Sequence, residues 1–284
     1  MSKPSTHILL NRFSLLGIII LLWIPPAIAE PVKVIVPPLE KTVEGHVVYF
    51  LKALQLALKK TEASDGAFEI AFAPELISVE RSVADLKNRK TINVMWTTTN
   101  KKREQDLLPV RISLVRELNN YRIFLIRKGD QAKFDQVKSL EDLGKLNAGL
   151  GSQWPDTEVM RNNDLNVVTS PGYSTLFKML TAKRFDYFPR GLYEIWNEAE
   201  AHKDEGIVIE KNIMLYYEAP FYFFLNKKDT ALADRIERGL NLAIADGSFD
   251  ELLQSAPGFK RGMEEQTNGQ RKLFVLSTPY NLRN

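Results

Sequence analysis

The feature that most constrains the fold is an alternation of short apolar strands with helical segments. Residues 32–36 read VKVIV and are ended by two prolines, a pattern typical of a strand buried in a parallel sheet. Residues 46–61 then carry apolar side chains at helical spacing. Residues 68–73 and 92–96 repeat the strand pattern on either side of a short helix, 79–89. This β-α-β-α-β order predicts an α/β fold with a parallel sheet and crossover helices.

A second series of strands and helices follows Asn119-Asn120, which has the composition of a joint. Its strand patterns are 121–127, 148–150, 166–169, 186–188, 207–209 and 220–225, with helical patterns at 155–162, 174–182, 192–201 and 231–246. Two segments, near 118–122 and 215–222, are placed to cross between two lobes, each a mostly parallel sheet flanked by helices. The predicted boundaries are 30–118 for the first part of lobe 1, 119–216 for lobe 2, and 217–284 for the return to lobe 1 and the tail.

The N-terminal segment has the pattern of an export signal. Lys3 and Arg12 precede the apolar run 13–24, and an A-x-A site follows two prolines. A helix of this length spans about 18 Å, short of the roughly 30 Å hydrocarbon core of a bilayer. We expect residues 1–29 to be a signal peptide cleaved after Ala29, which places the mature chain in the periplasm of a Gram-negative host. An uncleaved membrane anchor is the alternative.

The composition excludes several kinds of site. Among 284 residues there is no cysteine and only three histidines. Disulfides, thiolate ligands and a cysteine nucleophile are therefore excluded, and we expect no metal and no cofactor. There are 38 basic and 35 acidic residues, so loss of Lys3 and Arg12 leaves 36 against 35, a net charge of +1. This balance does not favour nucleic acid or an anionic membrane as a partner.

Candidate binding residues follow the ends of predicted strands, where open α/β sheets bind their ligands. Trp96 and Thr98 end one strand, and Arg103 follows five residues after the threonine. An arginine at this position can bind a carboxylate with two hydrogen bonds. The alternatives are that Trp96 packs in the core and that Arg103 is solvated within the charged run 101–104.

Two further candidates lie in the second half. Gly151, Ser152 and Gln153 form a turn before a helix, and a helix start presents N–H groups that bind anions. Arg190 follows another strand and is flanked by proline and glycine, which predicts a tight turn. If it points inward it suits an acidic ligand, and otherwise it is an exposed turn arginine.

The sequence gives little support for catalysis. It contains no G-x-S-x-G, H-E-x-x-H, P-loop or G-x-G-x-x-G motif. Ser152 could be paired with His46 or His202, but nothing in their spacing favours a hydrolytic pair. We therefore expect no enzyme.

The order of several segments resembles that of the type II periplasmic solute-binding proteins, and most closely the family 3, polar amino-acid-binding group. The segments are VKVIVPP, TTTNKKR, YRIFLIRKGD, SLEDL, AGLGSQW, KRFDYFPRG and FYFFLNKKDTALADRIERGLNLAIADGSFDELLQ, which cover roughly residues 32–255. The resemblance implies two lobes that close on a small ligand about a hinge. The stretch after Arg103 is longer than in typical members and lacks their "dFS.PY" segment, which indicates a divergent subgroup.

The resemblance also implies roles for particular residues. Family members bind the ligand's α-carboxylate with a threonine and an arginine five residues later, a spacing that Thr98 and Arg103 match. A glycine-threonine turn of the family corresponds to Gly151-Ser152-Gln153, with serine and glutamine in place of the usual residues.

The family's aspartate for the α-ammonium is missing. Counting five residues from Asp186 gives Gly191, with Arg190 beside it. This departure favours an acidic or carboxylate-rich ligand, although Glu194 could replace the aspartate one turn later.

Three functional hypotheses follow. The first is a monomeric periplasmic binding protein that captures a small polar, carboxylate-bearing ligand and delivers it to an inner-membrane permease. The second is a binding module of the same fold that reports to a membrane sensor protein. The third, an enzyme that uses Ser152, is the least supported.

Overall fold

A computed structural model describes Met1 and residues 30–38, 44–75, 78–256 and 258–278. The predicted signal peptide, residues 1–29, lies outside the described residues apart from Met1. Within the described ranges, no helix is both long and apolar enough to cross a membrane.

The strands of the described residues are β1 (Val32–Val36), β2 (Phe68–Phe72), β3 (Met95–Thr98), β4 (Leu108–Val110), β5 (Tyr121–Arg127), β6 (Asn147–Gly151), β7 (Asn166–Ser170), β8 (Phe188–Gly191), β9 (Ile207–Ile209), β10 (Ile213–Tyr216), β11 (Phe221–Leu225) and β12 (Lys272–Val275). The α-helices are α1 (Glu44–Lys60), α2 (Glu62–Asp65), α3 (Val79–Lys87), α4 (Lys101–Asp106), α5 (Gln131–Asp135), α6 (Leu140–Gly144), α7 (Pro155–Asn162), α8 (Tyr173–Thr181), α9 (Ile195–Ala201), α10 (Thr230–Ala245), α11 (Ser248–Ser255) and α12 (Phe259–Asn268). A short 3-10 helix, Lys203–Glu205, follows α9.

The first lobe contains β1 to β4 and β11. β1 pairs with β2 in parallel, and β11 pairs antiparallel with both β3 and β4. The long helices α1 and α10 pack against each other beside these strands. The apolar faces predicted for these helices meet here, with Leu54, Leu58 and Leu240 fully buried.

The second lobe contains β5 to β10 and β12. Its main sheet has the order β12-β10-β5-β8, with β9 also paired to β5. β6 and β7 form a parallel pair, and an isolated bridge from Ala148 to Tyr187 continues it. The buried side chains of β5 and β6, among them Phe124 and Leu150, form the core between these strands and α7.

The crossing segments meet where the sequence predicts a joint. Asn119 donates hydrogen bonds to Thr98 Oγ1 (3.1 Å) and to the carbonyl oxygen of Ala219 (2.5 Å). Asn120 binds the second crossing through Tyr217 N–H (3.0 Å) and Ala219 N–H (2.9 Å). The two crossings are therefore tied to each other and to the end of β3.

The C-terminal segment contacts both lobes. On the first lobe, the Phe259 ring of α12 lies 4.7 Å from that of Tyr49 in α1. On the second lobe, β12 pairs in parallel with β10, and Arg271 donates to Glu265 at 2.7 Å and to the carbonyl of the buried Glu210. The predicted boundaries assign the whole of 217–284 to the first lobe. The structure instead adds β12 to the second-lobe sheet, because Leu276 and Phe274 pack into its core.

Candidate functional site

A cleft of about 230 Å³ lies where β3, α4 and β11 of the first lobe face β5, α7 and β8 of the second. Four of the seven residues expected at the site line this cleft: Trp96, Thr98, Arg103 and Arg190. The other three, Gly151, Ser152 and Gln153, line a neighbouring cavity of about 440 Å³. Trp154 and Val79 line both spaces, so the two adjoin.

Arg103 is placed in the cleft by the start of α4. Asn100 caps this helix by accepting a hydrogen bond from Arg103 N–H at 2.8 Å. The Arg103 guanidinium donates to the Thr98 carbonyl at 2.5 Å and to Thr97 Oγ1 at 3.2 Å, and the residue is only 7% exposed. The neighbouring Lys101 and Lys102 are exposed. Within one charged run, therefore, the arginine alone of these three turns inward.

Trp96 both packs and lines the cleft. Its half-buried ring is stacked toward Phe50 of α1, with ring centroids 6.0 Å apart, and Phe50 stacks on Phe221 of β11 at 4.6 Å. Tyr193 of the second lobe approaches the same group, 6.1 Å from Phe50 and 5.9 Å from Phe221. Aromatic rings from both lobes thus wall the cleft.

Arg190 lies at the centre of a buried ion-pair network. Its guanidinium donates twice to Glu198, at 2.7 Å each, and lies 2.8 Å from Glu194 Oε2. Tyr173 also donates to Glu198, at 2.6 Å. Burial alone would lower the pKa of Arg190, but the two glutamates hold it well above its ordinary value. The charge of Arg190 is thus compensated within the second lobe.

The surroundings of Arg190 differ from the tight turn that its flanking residues predict. Pro189 and Arg190 lie within β8, paired with Phe124 and Ile123 of β5, and every residue of β8 is buried. The guanidinium carbon lies over the rings of Phe188 (4.8 Å) and Trp154 (5.0 Å). The strand therefore encloses the arginine among aromatic rings and carboxylates.

Glu194 brings a carboxylate to the wall of the cleft. It is 6% exposed, and its Oε1 accepts a hydrogen bond from Gly191 N–H at 2.9 Å. Burial raises the pKa of Glu194 above its ordinary value, with the nearby Glu198 adding to the effect and Arg190 opposing it. The resemblance implies an aspartate at position 191 as the partner of the ligand's ammonium group. A carboxylate, that of Glu194, lies three residues after this position.

A second ion pair joins β5 to α7. Arg122 donates to Asp156 Oδ1 through Nε at 2.9 Å, and Tyr217 donates to the same oxygen at 2.6 Å. Burial would raise the pKa of Asp156, but Arg122 and Tyr217 outweigh it and bring this pKa below its ordinary value. Arg122 also donates to the carbonyl of Asn119, so this pair is connected to the first crossing segment.

Position 151 requires glycine because of the neighbouring Trp154, which the turn pattern in the sequence does not reveal. A Cβ atom at this position would lie 2.4 Å from Nε1 of Trp154, because the indole ring folds back over its own turn. The ring is stacked toward Phe188 at 6.1 Å. The glycine thus permits the position of Trp154, which separates the cleft from the neighbouring cavity.

The sequence analysis missed several residues that line the cleft: Phe50, Asn119, Arg122, Asp156, Tyr193 and Phe221. A signal for Arg122 was present, since it is an arginine inside an otherwise apolar strand pattern. A signal for the network of Arg190 was also present, since Glu194 and Glu198 follow it at intervals of four residues. Within the described ranges, no group of three or more carboxylate or histidine side chains could hold a metal ion.

No protein-family model matches the chain, and no curated protein matches it in sequence. Solved structures do match it over most of its length. An ancestral arginine-binding protein bound to glutamine has a TM-score of 0.60 at 16% identity, over 81% of this chain and 100% of that one. A Salmonella typhimurium periplasmic binding protein with high arginine specificity has 0.59 at 15% identity, over 80% and 99%.

The ligand-binding core of GluR0 from Nostoc punctiforme, in complex with L-glutamate, has a TM-score of 0.57 at 16% identity, over 80% of this chain and 100% of that one. Sequence identities this low support a conclusion about the fold alone. They confirm what the order of the sequence segments predicts: this chain has the two-lobed α/β fold of the type II periplasmic binding proteins.

Proposed function

We propose that this protein is an exported periplasmic solute-binding protein that captures a small, polar, carboxylate-bearing ligand by closure of its two lobes. The observation that carries the proposal is the cleft itself, which combines Thr98 and Arg103 of the first lobe with Trp154 and Glu194 of the second. Contacts from both lobes to one ligand favour the closed form, so binding shifts the population toward it.

Arg103 and Thr98 are proposed to bind the ligand's carboxylate. The guanidinium is buried at the cleft wall and fixed by Thr97 and Thr98, so little side-chain entropy is lost when it binds an anion. The spacing of Thr98 and Arg103, which matches the resembled family, supports the same role.

The ligand is proposed to be amino-acid-like. The sequence favours an acidic ligand because Arg190 stands where an acid is expected, but Glu194 and Glu198 compensate the charge of that arginine. Glu194 adds a carboxylate to the cleft wall, which suits an ammonium group. A zwitterion with its carboxylate at Arg103 and its ammonium toward Glu194 satisfies both walls. The neighbours crystallised with arginine, glutamine or glutamate support this class.

The protein is proposed to bind without turnover, as a monomer that delivers its ligand to an inner-membrane permease. The alternative partner is a membrane sensor protein. Copurification of the chain with a permease or with a sensor separates these two roles, and NMR of the bound ligand after incubation detects any turnover.

The test is a thermal-shift screen of the chain from Glu30 against amino acids, dicarboxylates, keto acids and small peptides. A ligand at 100 times its dissociation constant adds about 2.7 kcal/mol to the free energy of unfolding. For lobes of this size that raises Tm by several degrees. We expect such a shift with at least one α-amino acid. A screen in which no compound raises Tm would contradict the proposal.

A further inference from the structure

We propose that a cavity separate from the cleft binds a phosphoryl anion. This cavity has a volume of about 640 Å³ and shares no lining residue with the cleft. Residues of β1, the loop before β3 and the start of α10 form its walls. We call it the basic cavity, and it is independent of the ligand proposed for the cleft.

Asn93 fixes the segment before β3 against β1 at the edge of the basic cavity. Asn93 Oδ1 accepts a hydrogen bond from Ile35 N–H at 2.6 Å, and Asn93 Nδ2 donates to the carbonyl of Lys33 at 2.8 Å. Main-chain bonds from Asn93 N–H (2.9 Å) and Val94 N–H (3.2 Å) to the Ile35 carbonyl join the same two segments. Lys33 and Asn93 both line the basic cavity.

The charge of the basic cavity is strongly one-sided. Five cations line it: Lys33, Arg89, Lys90, Lys228 and Arg235. Two carboxylates, Asp65 and Asp229, oppose them, which leaves an excess of three positive charges. The net charge of the mature chain is only +1 by its residue counts, so positive charge is concentrated here rather than spread over the surface.

Both carboxylates already have partners. Asp229 lies 2.8 Å from Arg89, and Asp65 pairs with Arg238, which lies outside the cavity lining. Within the part of the chain that the structure describes, Lys33, Lys90 and Lys228 make no salt bridge, and all three are exposed. Three ammonium groups are therefore available to an added anion.

Arg235 supplies a buried positive charge at the wall. It is 3% exposed, and its guanidinium donates to Thr61 Oγ1 at 3.1 Å and to the carbonyl of Gly66 at 2.7 Å. These acceptors are neutral, and the carboxylate of the neighbouring Asp65 pairs with Arg238. A buried cation whose hydrogen-bond acceptors are neutral is stabilised further when an anion approaches.

The start of α10 adds donors to the same wall. Thr230, Ala231 and Leu232 line the cavity, and the first turn of this 16-residue helix contains no acidic residue. The N-cap Asp229 makes no side-chain capping bond. Main-chain N–H groups at a helix start favour anions with several acceptor oxygens. Together with three lysines they match a phosphoryl group better than a single carboxylate.

A phosphoryl group can belong to a small phosphorylated molecule or to the headgroup of an anionic phospholipid. The test therefore has two arms. In the first, isothermal titration calorimetry measures inorganic pyrophosphate binding to the chain from Glu30. In the second, cosedimentation measures binding to vesicles of phosphatidylglycerol and phosphatidylcholine, with phosphatidylcholine vesicles alone as the blank.

The variant is Lys33→Glu/Lys90→Glu/Lys228→Glu, which changes exposed side chains and leaves Arg235 in place. Its control is Lys52→Glu/Lys101→Glu/Lys128→Glu, three exposed lysines outside the cavity with the same change of net charge. We expect at least a tenfold loss of pyrophosphate affinity in the first variant and less than threefold in the control. Binding to anionic vesicles alone, with the same pattern, would assign the lipid source. Equal losses in both variants, or no binding in either arm, would overturn the proposal.

Discussion

The two walls of the cleft hold their arginines in different ways. Arg103 of the first lobe and Arg190 of the second are almost equally buried, at 7% and 6% exposure. Arg103 donates to a hydroxyl and a carbonyl of its own lobe, whereas Arg190 is bound by two carboxylates. The same residue type at the same depth thus donates to a hydroxyl and a carbonyl oxygen in one lobe and lies within a network of two carboxylates in the other.

From this difference we infer different roles in ligand binding for the two walls. An arginine compensated by two glutamates gains little from a further anion, because its desolvation is already offset. Arg103 lines the cleft and is held in place by Thr97 and Thr98. We therefore propose that the first lobe holds the ligand's carboxylate, whereas the second presents a rigid acidic and aromatic surface.

The largest effect that sharpens this comparison comes from breaking the second wall. Glu198→Ala removes two hydrogen bonds to Arg190 and one to Tyr173, all in a buried site. Removing one partner of a buried ion pair costs about 3–5 kcal/mol, and Glu194, which stays beside Arg190, offsets part of that cost. Urea denaturation measures the free energy of unfolding, which we expect to fall by up to that amount.

Glu200→Ala on the same helix is the matched control. Glu200 is exposed and paired with Lys203 at the surface, so we expect a change below about 1 kcal/mol. If the two substitutions cost the same, the second wall is not held by its ion pairs.

A smaller effect is expected from Gly151→Ala. The added Cβ would lie 2.4 Å from Trp154 Nε1, so the indole must leave its place between the cleft and the neighbouring cavity. Overpacking of this kind costs about 1–3 kcal/mol. We expect a lower Tm and a shifted tryptophan emission spectrum, whereas Ser152→Ala leaves both near the wild-type values. An unchanged spectrum in Gly151→Ala would show that the glycine does not position the indole.

The smallest effect is a pH dependence that separates two carboxyl groups of the second lobe. Burial raises the pKa of Glu194 in the folded state above its ordinary 4.5. In the pH range between 4.5 and this raised pKa, the folded state therefore binds more protons than the unfolded state. Stability contributed by this group therefore falls as pH rises through that window, by at most about 1.4 kcal/mol per pH unit. Denaturation midpoints measured from pH 4.5 upward should decline less in Glu194→Gln than in the wild type.

Asp156 behaves in the opposite sense. Its folded-state pKa lies below the ordinary 3.8, so its contribution to stability is complete above that value and is lost only as the pH falls further.

The control for Glu194→Gln is Glu251→Gln, a substitution of an exposed residue of α11, which should follow the wild-type profile. Parallel profiles for Glu194→Gln and the wild type would contradict the buried, proton-favouring environment of Glu194.

The regular parts of the fold could be predicted because their periodicities are local. The strands β1 and β11 and the helices α1 and α10 lie within a few residues of their predicted positions. Helix α4 was missed, since residues 101–106 read as a solvated charge run and its start depends on the Asn100 cap. The segment α12 to β12 was missed because its apolar residues are few and pair with distant parts of the chain.

The candidate site could be predicted only in part. Local motifs drew attention to Trp96, Thr98 and Arg103, which the structure places in one cleft. Whether Arg190 faces a ligand or two glutamates depends on the register of β8 against β5 and on the packing of α9. Neither is visible in a single sequence. The aromatic contribution of Phe50 and Tyr193 likewise depends on how the lobes meet.

The central claim is that Arg103 binds the carboxylate of a ligand in the cleft. Titration calorimetry of the best ligand from the thermal screen, with wild type, Arg103→Ala and Lys102→Ala, tests it most directly. Loss of a charge-assisted pair of about 1.5–3 kcal/mol predicts a 10- to 150-fold weaker affinity for Arg103→Ala. We expect no change for Lys102→Ala, an exposed neighbour in the same helix, and circular dichroism confirms that both variants are folded. An affinity unchanged in a folded Arg103→Ala variant would contradict the account.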